Sequence, residues 1–343
     1  MPATEDATPI RIAVVGCGHI GRRHLGVIAD EPRALLAGFC DVDRAAADRA
    51  ATEYPRARRY ANLREVLADR EVDLISICTP HGLHAEMAIA AARAGKHVLV
   101  EKPMALNTRD AERMIAAGAA NGVRIFVVKQ NRFNAPVRIV KRALDDGALG
   151  RVYLAQCNVL WNRRPDYYTQ SDWRGSRALE GGALHTQVSH FLDLLIWWFG
   201  DVTSAGGLAE RLRQDIEFED VGVAALKFAS GTVGALTWTT LAYGSNLEGS
   251  ITLLGERGNL KVGGKYLNAI DHWDVADYPL PEGDFDDRPN EYGTYQGSSN
   301  NHDKMIEELV GNLLERRTGL VEGPEAMRTI AAIETIYGAT RGY

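Results

Sequence analysis

Short apolar runs alternate with helical stretches over the first 129 residues of the chain. The runs have the length of strands, and the stretches between them, rich in alanine and arginine, carry apolar residues at helical spacing. The predicted strands are Arg11–Val15, Leu35–Cys40, Leu74–Cys78, His97–Val100 and Arg124–Val128. The predicted helices include Arg44–Glu53, Leu63–Ala68, Ala85–Ala94 and Thr108–Asn121. Strands that alternate with helices form a parallel sheet covered on both faces, so residues 1–129 predict a doubly wound α/β domain.

The pattern changes after residue 129, where strands begin to follow one another without intervening helices. A helix at Pro136–Asp145 leads into a strand at Val152–Val159, and a second helix is predicted at Leu184–Phe199. The later predicted strands are Val202–Leu208, Val221–Phe228, Thr232–Ala242, Gly249–Leu254 and Asn259–Val262. Consecutive strands joined by turns form an antiparallel or mixed sheet. Residues 130–343 therefore predict an α+β domain with an open, mostly antiparallel sheet.

A long polar segment and two helices complete this second domain. Asp277–Asn301 is rich in glycine, aspartate, proline and tyrosine, and a loop of this length is typical of a functional lid or a mobile connection. Apolar spacing predicts the two helices at His302–Arg316 and Pro324–Tyr337. The expected organisation is thus one domain over residues 1–129 and a second over residues 130–343.

The composition narrows the class of protein. The chain has 343 residues, of which 45% are hydrophobic, and this suits two globular domains. Its formal net charge of −6 argues against a nucleic-acid binder, so an anionic substrate needs a local basic cluster. The N-terminus lacks the features of a signal peptide, and the apolar stretch Leu192–Phe199 is too short to span a bilayer. We expect a cytoplasmic protein with no membrane segment.

The cysteines do not indicate a disulfide framework or a metal site. The four of them, Cys17, Cys40, Cys78 and Cys157, are scattered along the chain without a CxxC pair. Cys40 and Cys78 lie in apolar runs and are predicted to be small buried hydrophobes of a reducing compartment. No metal is expected.

A glycine motif follows the first predicted strand. The string Gly16-Cys17-Gly18-His19-Ile20-Gly21 precedes a helical stretch, and Asp41 ends the second strand 20 residues after Gly21. Such glycines let backbone N–H groups approach a pyrophosphate at a helix N-terminus, and the aspartate accepts hydrogen bonds from the adenosine ribose. Asp41 would repel a 2′-phosphate, and Val42 and Asp43 follow it rather than an arginine. The motif therefore predicts NAD rather than NADP, against the alternative of an ordinary turn with chance glycines.

Polar residues also follow two later strands of the same sheet. Thr79, Pro80 and His81 come after one strand, and Glu101-Lys102-Pro103 after the next. Ligands bind at the carboxyl edge of such sheets, so these residues are candidates by position. Lys102 is suited to hold a substrate oxygen and to stabilise developing negative charge, although a surface lysine is an equal alternative on the residues alone.

A second candidate block begins at Gly181-Gly182 and continues into an apolar helix. Within that helix His190 and Asp193, three residues apart, lie on neighbouring faces. His190 is suited to act as the general base that takes a hydroxyl proton during hydride transfer. A satisfied core histidine is the alternative, and His185 has no assigned role.

These strings together resemble a known family. GCGHIGRRH, CTPHGLH, EKP and WRG…GGAL…H..D are similar to the glucose–fructose oxidoreductase, inositol dehydrogenase and MocA family over essentially the whole chain. The resemblance implies an N-terminal Rossmann domain. It also implies that Lys102 and His190 face the nicotinamide, with His190 as base and Lys102 polarising the substrate oxygen. The C-terminal open sheet is then expected to build a homodimer or homotetramer.

A closer likeness concerns one subgroup of that family. VVKQNRFN, YLAQCNVLWNRRPDYY, TQVSHFLD and NLEGSITLLGERGNLKVGG resemble the bacterial UDP-N-acetyl-2-amino-2-deoxy-glucuronate 3-dehydrogenases of surface-polysaccharide pathways. The resemblance implies NAD-dependent oxidation of the C3 hydroxyl of a UDP-linked N-acetylamino sugar to a ketone. Thr186 stands where many family members carry an acidic residue, so His190 lacks that carboxylate partner. Thr186-Gln187 nevertheless fits the nucleotide-sugar subgroup, and His81 replaces a common asparagine.

Two alternatives stay open at this point. The same chemistry, in either direction, would serve another sugar, a nucleotide-deoxysugar or an inositol. The fold would also serve a non-catalytic regulator that senses NAD or a sugar, since fold alone does not establish activity. The presence of both Lys102 and His190 argues against the regulator.

The substrate side carries a cluster of arginines and aromatic residues. Arg163, Arg164, Arg174 and Arg177 alternate with Trp161, Tyr167, Tyr168 and Trp173, a composition suited to a sugar ring, a pyrophosphate or a uronate carboxylate. The residues assigned to the cofactor are Gly16, Gly18, His19, Ile20, Gly21, Asp41, Thr79, Pro80, His81, His84, Glu101, Lys102, Gln130, Trp173 and Arg174. Those assigned to the substrate are Lys102, Lys129, Asn131, Arg163, Arg164, Tyr168, Thr186, Gln187, His190 and His302.

Overall fold

The structure is a computed structural model that describes residues 8–213, 215–282, 289–291, 296–315 and 317–341. Strands and helices alternate up to residue 128. They are β1 (Ile10–Val15), α1 (His19–Asp30), β2 (Ala34–Cys40), α2 (Arg44–Glu53), β3 (Arg58–Arg59), α3 (Leu63–Ala68), β4 (Leu74–Ile77), α4 (His84–Arg93), β5 (His97–Val100), α5 (Thr108–Ala120) and β6 (Ile125–Val127). The predicted alternation is confirmed, with ends that differ by one or two residues.

These six strands form one parallel sheet in the order β3-β2-β1-β4-β5-β6. All of β4 is buried, as is β6, because helices cover both faces of a parallel sheet. Asn62 and Asn107 cap α3 and α5, each accepting a hydrogen bond from a backbone N–H of the first turn. The chain reverses its direction of winding between β1 and β4, where doubly wound sheets open a binding crevice.

The later elements begin after residue 134. They are α6 (Ala135–Asp145), β7 (Val152–Leu160), α7 (Pro165–Thr169), α8 (Ser189–Phe199), β8 (Val202–Glu210), β9 (Val221–Phe228), β10 (Val233–Thr239), β11 (Glu248–Gly255), β12 (Gly258–Gly263), β13 (Ala269–Val275), β14 (Pro289–Glu291), β15 (Gln296–Ser299), α9 (His302–Leu314), α10 (Gly323–Ala339) and β16 (Thr340–Arg341). The turns at Gln130–Phe133 and Leu184–Val188 are a 3₁₀ turn and a π-helical turn.

An eight-stranded sheet dominates this part of the chain, in the order β13-β12-β11-β7-β10-β9-β8-β16. Its pairs are antiparallel except β7 with β10 and β8 with β16, which confirms the mixed, mostly antiparallel sheet. Phe191, Leu192 and Leu195 of α8 belong to the core that covers one face. The other face exposes Val223 and Val233. That face is where the resemblance places oligomer contacts, an assignment that stays a prediction.

The chain folds as two compact units whose division differs from the expected domain limits. The first unit runs to Val128 and includes His302–Met327, while the second comprises Lys129–Asn301 and the segment from Arg328 onward. The expected second domain was one continuous stretch from residue 130. Helix α9 instead packs on α1 and β1, and the backbone N–H of Val127 donates to the carbonyl of Val321. Packing of distant segments, rather than chain order, sets the division.

Three local predictions were incomplete. The segment Asp277–Asn301 contains the strand pair β14 and β15, although residues 283–288 and 292–295 within it lie outside the described residues. Strand β13 was not predicted, and the helix predicted from Leu184 begins with a π-helical turn.

All four cysteines are buried free thiols. Among the described residues, no helix has the length and apolar character that crossing a bilayer requires.

Candidate active site

The glycine loop joins β1 to α1 in the first unit, and it has the geometry of a dinucleotide site. Gly16 adopts a left-handed φ of +93°, and a Cβ there would lie 2.6 Å from the carbonyl oxygen of Cys78. A Cβ on Gly21 would lie 1.8 Å from the carbonyl oxygen of Gly16. Both glycines are therefore required by the packing of the loop itself.

Gly18 differs because, apart from its own neighbours in the chain, no atom of the described residues lies within 4 Å of the position that its Cβ would take. It is the N-cap of α1, and it offers no side chain to cap the first backbone N–H groups of that helix. The first turn of α1 also carries no acidic residue. An uncapped helix N-terminus with open space in front of it suits an anion, and the residues present therefore fit the pyrophosphate of a dinucleotide.

Asp41 is held at the end of β2 beside this loop. One carboxylate oxygen accepts the backbone N–H of Cys17 at 2.5 Å, and the other accepts that of Asp43 at 2.7 Å. The side chain is thus fixed before any ligand arrives, with the carboxylate placed next to the glycine loop. This placement suits a carboxyl group that receives ribose hydroxyls and disfavours a 2′-phosphate.

His81 and His84 follow β4, and the structure separates their roles. His81 is buried after Thr79 and Pro80, so its contact with the cofactor stays a prediction. His84 is fully buried, with Nδ1 2.8 Å from the carbonyl oxygen of Pro103 and Nε2 2.9 Å from that of Thr79. Both ring nitrogens thus face backbone carbonyls in the loops after β4 and β5, and the cofactor contact expected of His84 stays a prediction. Burial lowers the pKa of His84.

Glu101 also turns inward, although the sequence assigned it to the cofactor. The side chain is buried, and its carboxylate lies among His24, His302 and the backbone N–H of Lys102. His302 was assigned to the substrate, but in the structure it is 1% exposed and its Nε2 lies 3.5 Å from Glu101. Lys102 itself is half-buried directly after β5. Its position at the carboxyl edge of the sheet is the one expected.

In the second unit, α8 carries His190, which is buried, and Asp193, whose carboxylate is paired. Arg132 binds both carboxylate oxygens, at 2.7 and 3.0 Å, and Nζ of Lys129 lies 3.1 Å away. The hydroxyl of Thr329 completes the group at 3.5 Å. Burial opposes the charge on Asp193, but Lys129 and Arg132 outweigh it and lower the pKa of Asp193 to about 2. Lys129, assigned to the substrate, thus also has a structural partner.

We expect Asp193→Asn to lower the free energy of unfolding by about 3–5 kcal/mol, because it leaves Lys129 and Arg132 buried without their anion. Denaturant unfolding followed by tryptophan fluorescence measures this, since all six tryptophans lie in the second unit. Asp201→Asn is the matched control, because Asp201 pairs with Arg328 in the same unit at an exposed position. An equal loss in both variants would contradict the prediction.

The same ion pair predicts a pH dependence of stability. The folded-state pKa of Asp193, about 2, lies below its ordinary value of 3.8. The carboxylate therefore stabilises the fold fully above about pH 4, and the contribution is lost as the pH falls toward 2. The difference in stability between the wild type and Asp193→Asn should shrink over that interval.

The turn before α8 brings together Thr186, Gln187 and two buried glutamates that the sequence did not single out. Thr186 and Gln187 lie in the π-helical turn Leu184–Val188, and such turns are frequent at functional sites. Glu219 accepts the backbone N–H of Leu184 at 3.0 Å and the hydroxyl of Tyr337 at 2.7 Å. Burial raises the pKa of Glu219 to about 7. This carboxyl therefore anchors the start of the turn.

Glu180 lies beside Thr186, the residue that replaces the expected acid. The carboxyl of Glu180 lies near the hydroxyl of Thr186, and it accepts the backbone N–H of Gly175 at 2.6 Å. Burial raises the pKa of Glu180, against the opposing effect of Arg174. A carboxyl group is thus present next to Thr186, supplied from six residues earlier in the chain. No local sequence pattern indicated it.

The arginine cluster forms around an aromatic ring. The guanidinium groups of Arg163 and Arg174 lie 5.2 and 3.9 Å from the ring centroid of Tyr167. Arg163 is buried and donates to the carbonyl oxygen of Asn162 and to the side chain of Asn246. Arg164 is half-exposed and paired with Asp166, so it does not join the cluster. We use the name arginine–tyrosine cluster for Arg163, Arg174 and Tyr167.

The remaining assigned residues occupy the following places. His19 and Ile20 begin α1 in the first unit. In the second unit, Gln130 and Asn131 are buried in the 3₁₀ turn, Trp173 is half-buried beside Arg174, and Tyr168 is buried against Phe218. Arg177 is exposed and donates to the carbonyl oxygen of Glu217. The ligand contacts of all these residues stay predictions.

Comparison with known proteins adds to this geometry. Residues 10–129 match an oxidoreductase family with an NAD-binding Rossmann fold, and residues 137–261 match the GFO/IDH/MocA C-terminal domain. A crystal structure of the WlbA dehydrogenase from Bordetella pertussis, in complex with NADH and UDP-GlcNAcA, is 38% identical over 97% of each chain, with a TM-score of 0.87. The corresponding complex of WlbA from Chromobacterium violaceum is 35% identical over 99% of this chain and 96% of that chain, with a TM-score of 0.90.

Curated relatives extend the range of substrates. A myo-inositol 2-dehydrogenase from Thermotoga maritima is 26% identical over 73% of this chain and 74% of its own length. The 1-carboxy-3-chloro-3,4-dihydroxycyclohexa-1,5-diene dehydrogenase of Comamonas testosteroni is 30% identical over 72% of this chain and 63% of its own length. The D-apiose dehydrogenase of Paraburkholderia graminis is 29% identical over 65% of this chain and 59% of its own length. These relatives are dehydrogenases of different polyols, sugars and cyclic diols, so the similarity by itself leaves the substrate of this chain open.

Proposed function

Because the chain belongs to the GFO/IDH/MocA family of NAD-dependent oxidoreductases acting on CH–OH groups, we propose that it oxidises the C3 hydroxyl of a UDP-linked N-acetylamino sugar uronate. The observation that carries the proposal is the similarity, over nearly the full length, to two dehydrogenases crystallised with NADH and UDP-GlcNAcA. No other comparison reported above combines such coverage with such identity. The product of this reaction is the 3-keto sugar.

The charge of the arginine–tyrosine cluster supports an anionic substrate. Two guanidinium groups, those of Arg163 and Arg174, face one carboxyl, that of Glu180, so the positive charges outnumber the negative one. The cluster keeps a positive charge inside a chain whose net charge is −6. Arginine binds carboxylates and phosphates through paired hydrogen bonds, so the cluster suits a uronate carboxylate or a diphosphate.

The proposed mechanism divides the work among a few side chains. When bound, NAD+ supplies the acceptor for the hydride that leaves the sugar carbon. Gly16, Gly18 and Gly21 would hold its pyrophosphate at the N-terminus of α1, and Asp41 would hold the ribose. A ring nitrogen of His190 accepts the proton of the C3 hydroxyl. The ammonium group of Lys102 donates a hydrogen bond to the same oxygen and stabilises the charge that develops there.

A matched pair of substrates tests the proposal. The purified protein is incubated with NAD+ and either UDP-GlcNAcA or UDP-GlcNAc, which lacks the carboxylate, and reduced nicotinamide is followed by its absorbance. Parallel reactions include 2-oxoglutarate to reoxidise tightly held NADH, and the sugar product is identified by its mass, two hydrogens lower. We expect oxidation of the uronate alone. Turnover of the neutral sugar, or of an inositol or free sugar instead, would contradict the proposed substrate.

Arg163→Gln should raise KM for the uronate about 10- to 100-fold, the value of one charge-assisted hydrogen bond. Arg164→Gln is the matched control because Arg164 is adjacent, half-exposed and paired with Asp166. Steady-state kinetics of both variants with UDP-GlcNAcA measure the effect. An unchanged KM in a folded Arg163→Gln would show that the cluster does not bind the anionic group.

A further inference from the structure

A buried ionic network in the first unit joins three residues that lie far apart in the sequence. His24 lies on α1, Glu101 directly follows β5, and His302 begins α9. Nε2 of His24 is 3.0 Å and Nε2 of His302 is 3.5 Å from Oε1 of Glu101. Nδ1 of His24 lies 2.8 Å from the hydroxyl of Ser76 on β4. We call His24, Glu101 and His302 the inner triad.

The triad contains one ion pair and one neutral ring. Burial opposes the charge on Glu101, but His24 and His302 outweigh it and hold the pKa of that carboxyl well below its usual range. Burial likewise opposes the charge on His24, but Cys78 and Glu101 raise the pKa of His24 to about 10. Burial lowers the pKa of His302. At neutral pH a protonated His24 thus faces an ionised Glu101, and His302 is neutral.

The second oxygen of Glu101 connects the triad to Lys102. Oε2 accepts the backbone N–H of Lys102 at 3.0 Å, and the backbone N–H of Glu101 donates to Ile77 on β4. On the other side of Lys102, the carbonyl oxygen of Pro103 lies 2.8 Å from the ring of His84. The backbone of Lys102 is therefore held from both neighbouring residues, and each holding group is a buried side chain.

We propose that the inner triad positions Lys102, so that Glu101 acts through the lysine rather than by touching cofactor or substrate. The inference deepens the proposed function and rests on it, since it takes Lys102 as the group that holds the substrate oxygen. Both carboxylate oxygens already have protein partners, and a misplacement of about 1 Å at a reacting centre can cost 10²-fold in rate. A buried salt bridge adds little net stability, so a role in fixing geometry accounts better for its presence here.

Glu101→Gln tests this role because it keeps the shape of the side chain and removes its charge. An amide has one oxygen where Glu101 has two, so its NH2 group must face either the ring N–H of His24 or the backbone N–H of Lys102, and both of these are donors. We expect kcat to fall about 10- to 100-fold, with little change in KM for the sugar or in NADH affinity. Asp73→Asn is the matched control, since Asp73 pairs with Arg11 in the same unit but at the amino end of β4. It should leave kcat unchanged.

A double-mutant cycle separates positioning from general destabilisation. If Glu101 acts through Lys102, adding Glu101→Gln to Lys102→Met should cause little further loss of turnover, whereas independent effects would multiply. Multiplied losses, or a Glu101→Gln enzyme whose defect lies in NADH affinity, would overturn the inference. Should Glu101→Gln fail to fold, Ser76→Ala and His302→Gln disturb the same triad more gently, and each must reproduce the kcat-specific defect.

An NMR measurement that needs no turnover tests this inference independently of which sugar the enzyme oxidises. Lysines of the protein are ¹³C-methylated, and the Lys102 signal is assigned by its absence from Lys102→Met. His302→Gln should shift the Lys102 signal and leave that of Lys304 in place, whichever sugar is oxidised. A Lys102 signal that does not shift in His302→Gln would overturn the inference. Binding of one equivalent of a divalent metal by the wild type would also overturn it if Glu101→Gln and His302→Gln both abolish that binding, because the triad would then be a cation site.

Discussion

Replacing Lys102 with methionine is expected to lower kcat about 10²- to 10³-fold, the usual cost of removing one donor that stabilises an oxyanion. Methionine keeps most of the apolar stem of the side chain and removes its ammonium group. The loss should appear in kcat and kcat/KM together, because the interaction with the sugar oxygen strengthens as negative charge develops. Initial rates with the sugar that the wild type oxidises measure this.

Binding of the cofactor provides the internal control for this variant. The glycine loop and Asp41 lie after β1 and β2, whereas Lys102 follows β5, so NADH affinity should survive in Lys102→Met. Lys304→Met is the matched surface variant, because Lys304 is an exposed lysine of the same unit on α9, and its kcat should equal that of the wild type. A Lys102→Met enzyme with wild-type turnover would remove Lys102 from the mechanism.

The parts of the first unit that sequence predicts well are those where local pattern and global fold agree. All four residues of strand β4 are buried, and three of them are apolar, because both faces of its sheet are covered. Gly16 and Gly21 are glycines because a Cβ at either would meet backbone atoms. Asp41 occurs at the end of a strand, directly beside the loop it supports. Each of these features is encoded within a few residues of where it acts.

The features that the sequence did not predict depend on contacts between segments that lie far apart in the chain. Glu101 and Lys102 are adjacent polar residues at one sheet edge, yet Glu101 turns into the fold because His24 and His302 are there to meet it. A signal for His24 did exist, since it shares the buried face of α1 with Gly21, Leu25 and Ile28. A histidine on such a face needs a buried partner.

The same argument applies in the second unit. Thr186 suggested that His190 had lost a carboxylate partner, whereas the carboxyl of Glu180 lies next to Thr186 from an earlier loop. Similarly, the π-helical turn before α8 is anchored by Glu219, which precedes β9 and is 35 residues away from Leu184. Spacing along one helix cannot reveal partners that enter from other loops.

His190→Asn should lower kcat about 10²- to 10⁴-fold, the range for removal of a general acid–base group. Asparagine is close to histidine in size and polarity but does not take up a proton, so the substitution isolates proton transfer. The variant should bind NADH and the sugar normally. For the wild type we expect kcat/KM to rise with pH to a plateau as the base loses its proton. In His190→Asn that limb and plateau should be replaced by a steady rise of the residual rate with pH, because hydroxide replaces the missing base.

His185→Asn gives this experiment its matched control. His185 is also buried and lies five residues before His190, within the π-helical turn, where its ring packs 5.8 Å from that of Tyr337. Both substitutions remove a buried imidazole from the same segment, so a loss caused only by disturbed packing should be similar in the two. Proton transfer by His190 requires that the pH profile change in His190→Asn alone. If the pH profile instead changes in His185→Asn, the general base is His185, and the proposed role of His190 in proton transfer is wrong.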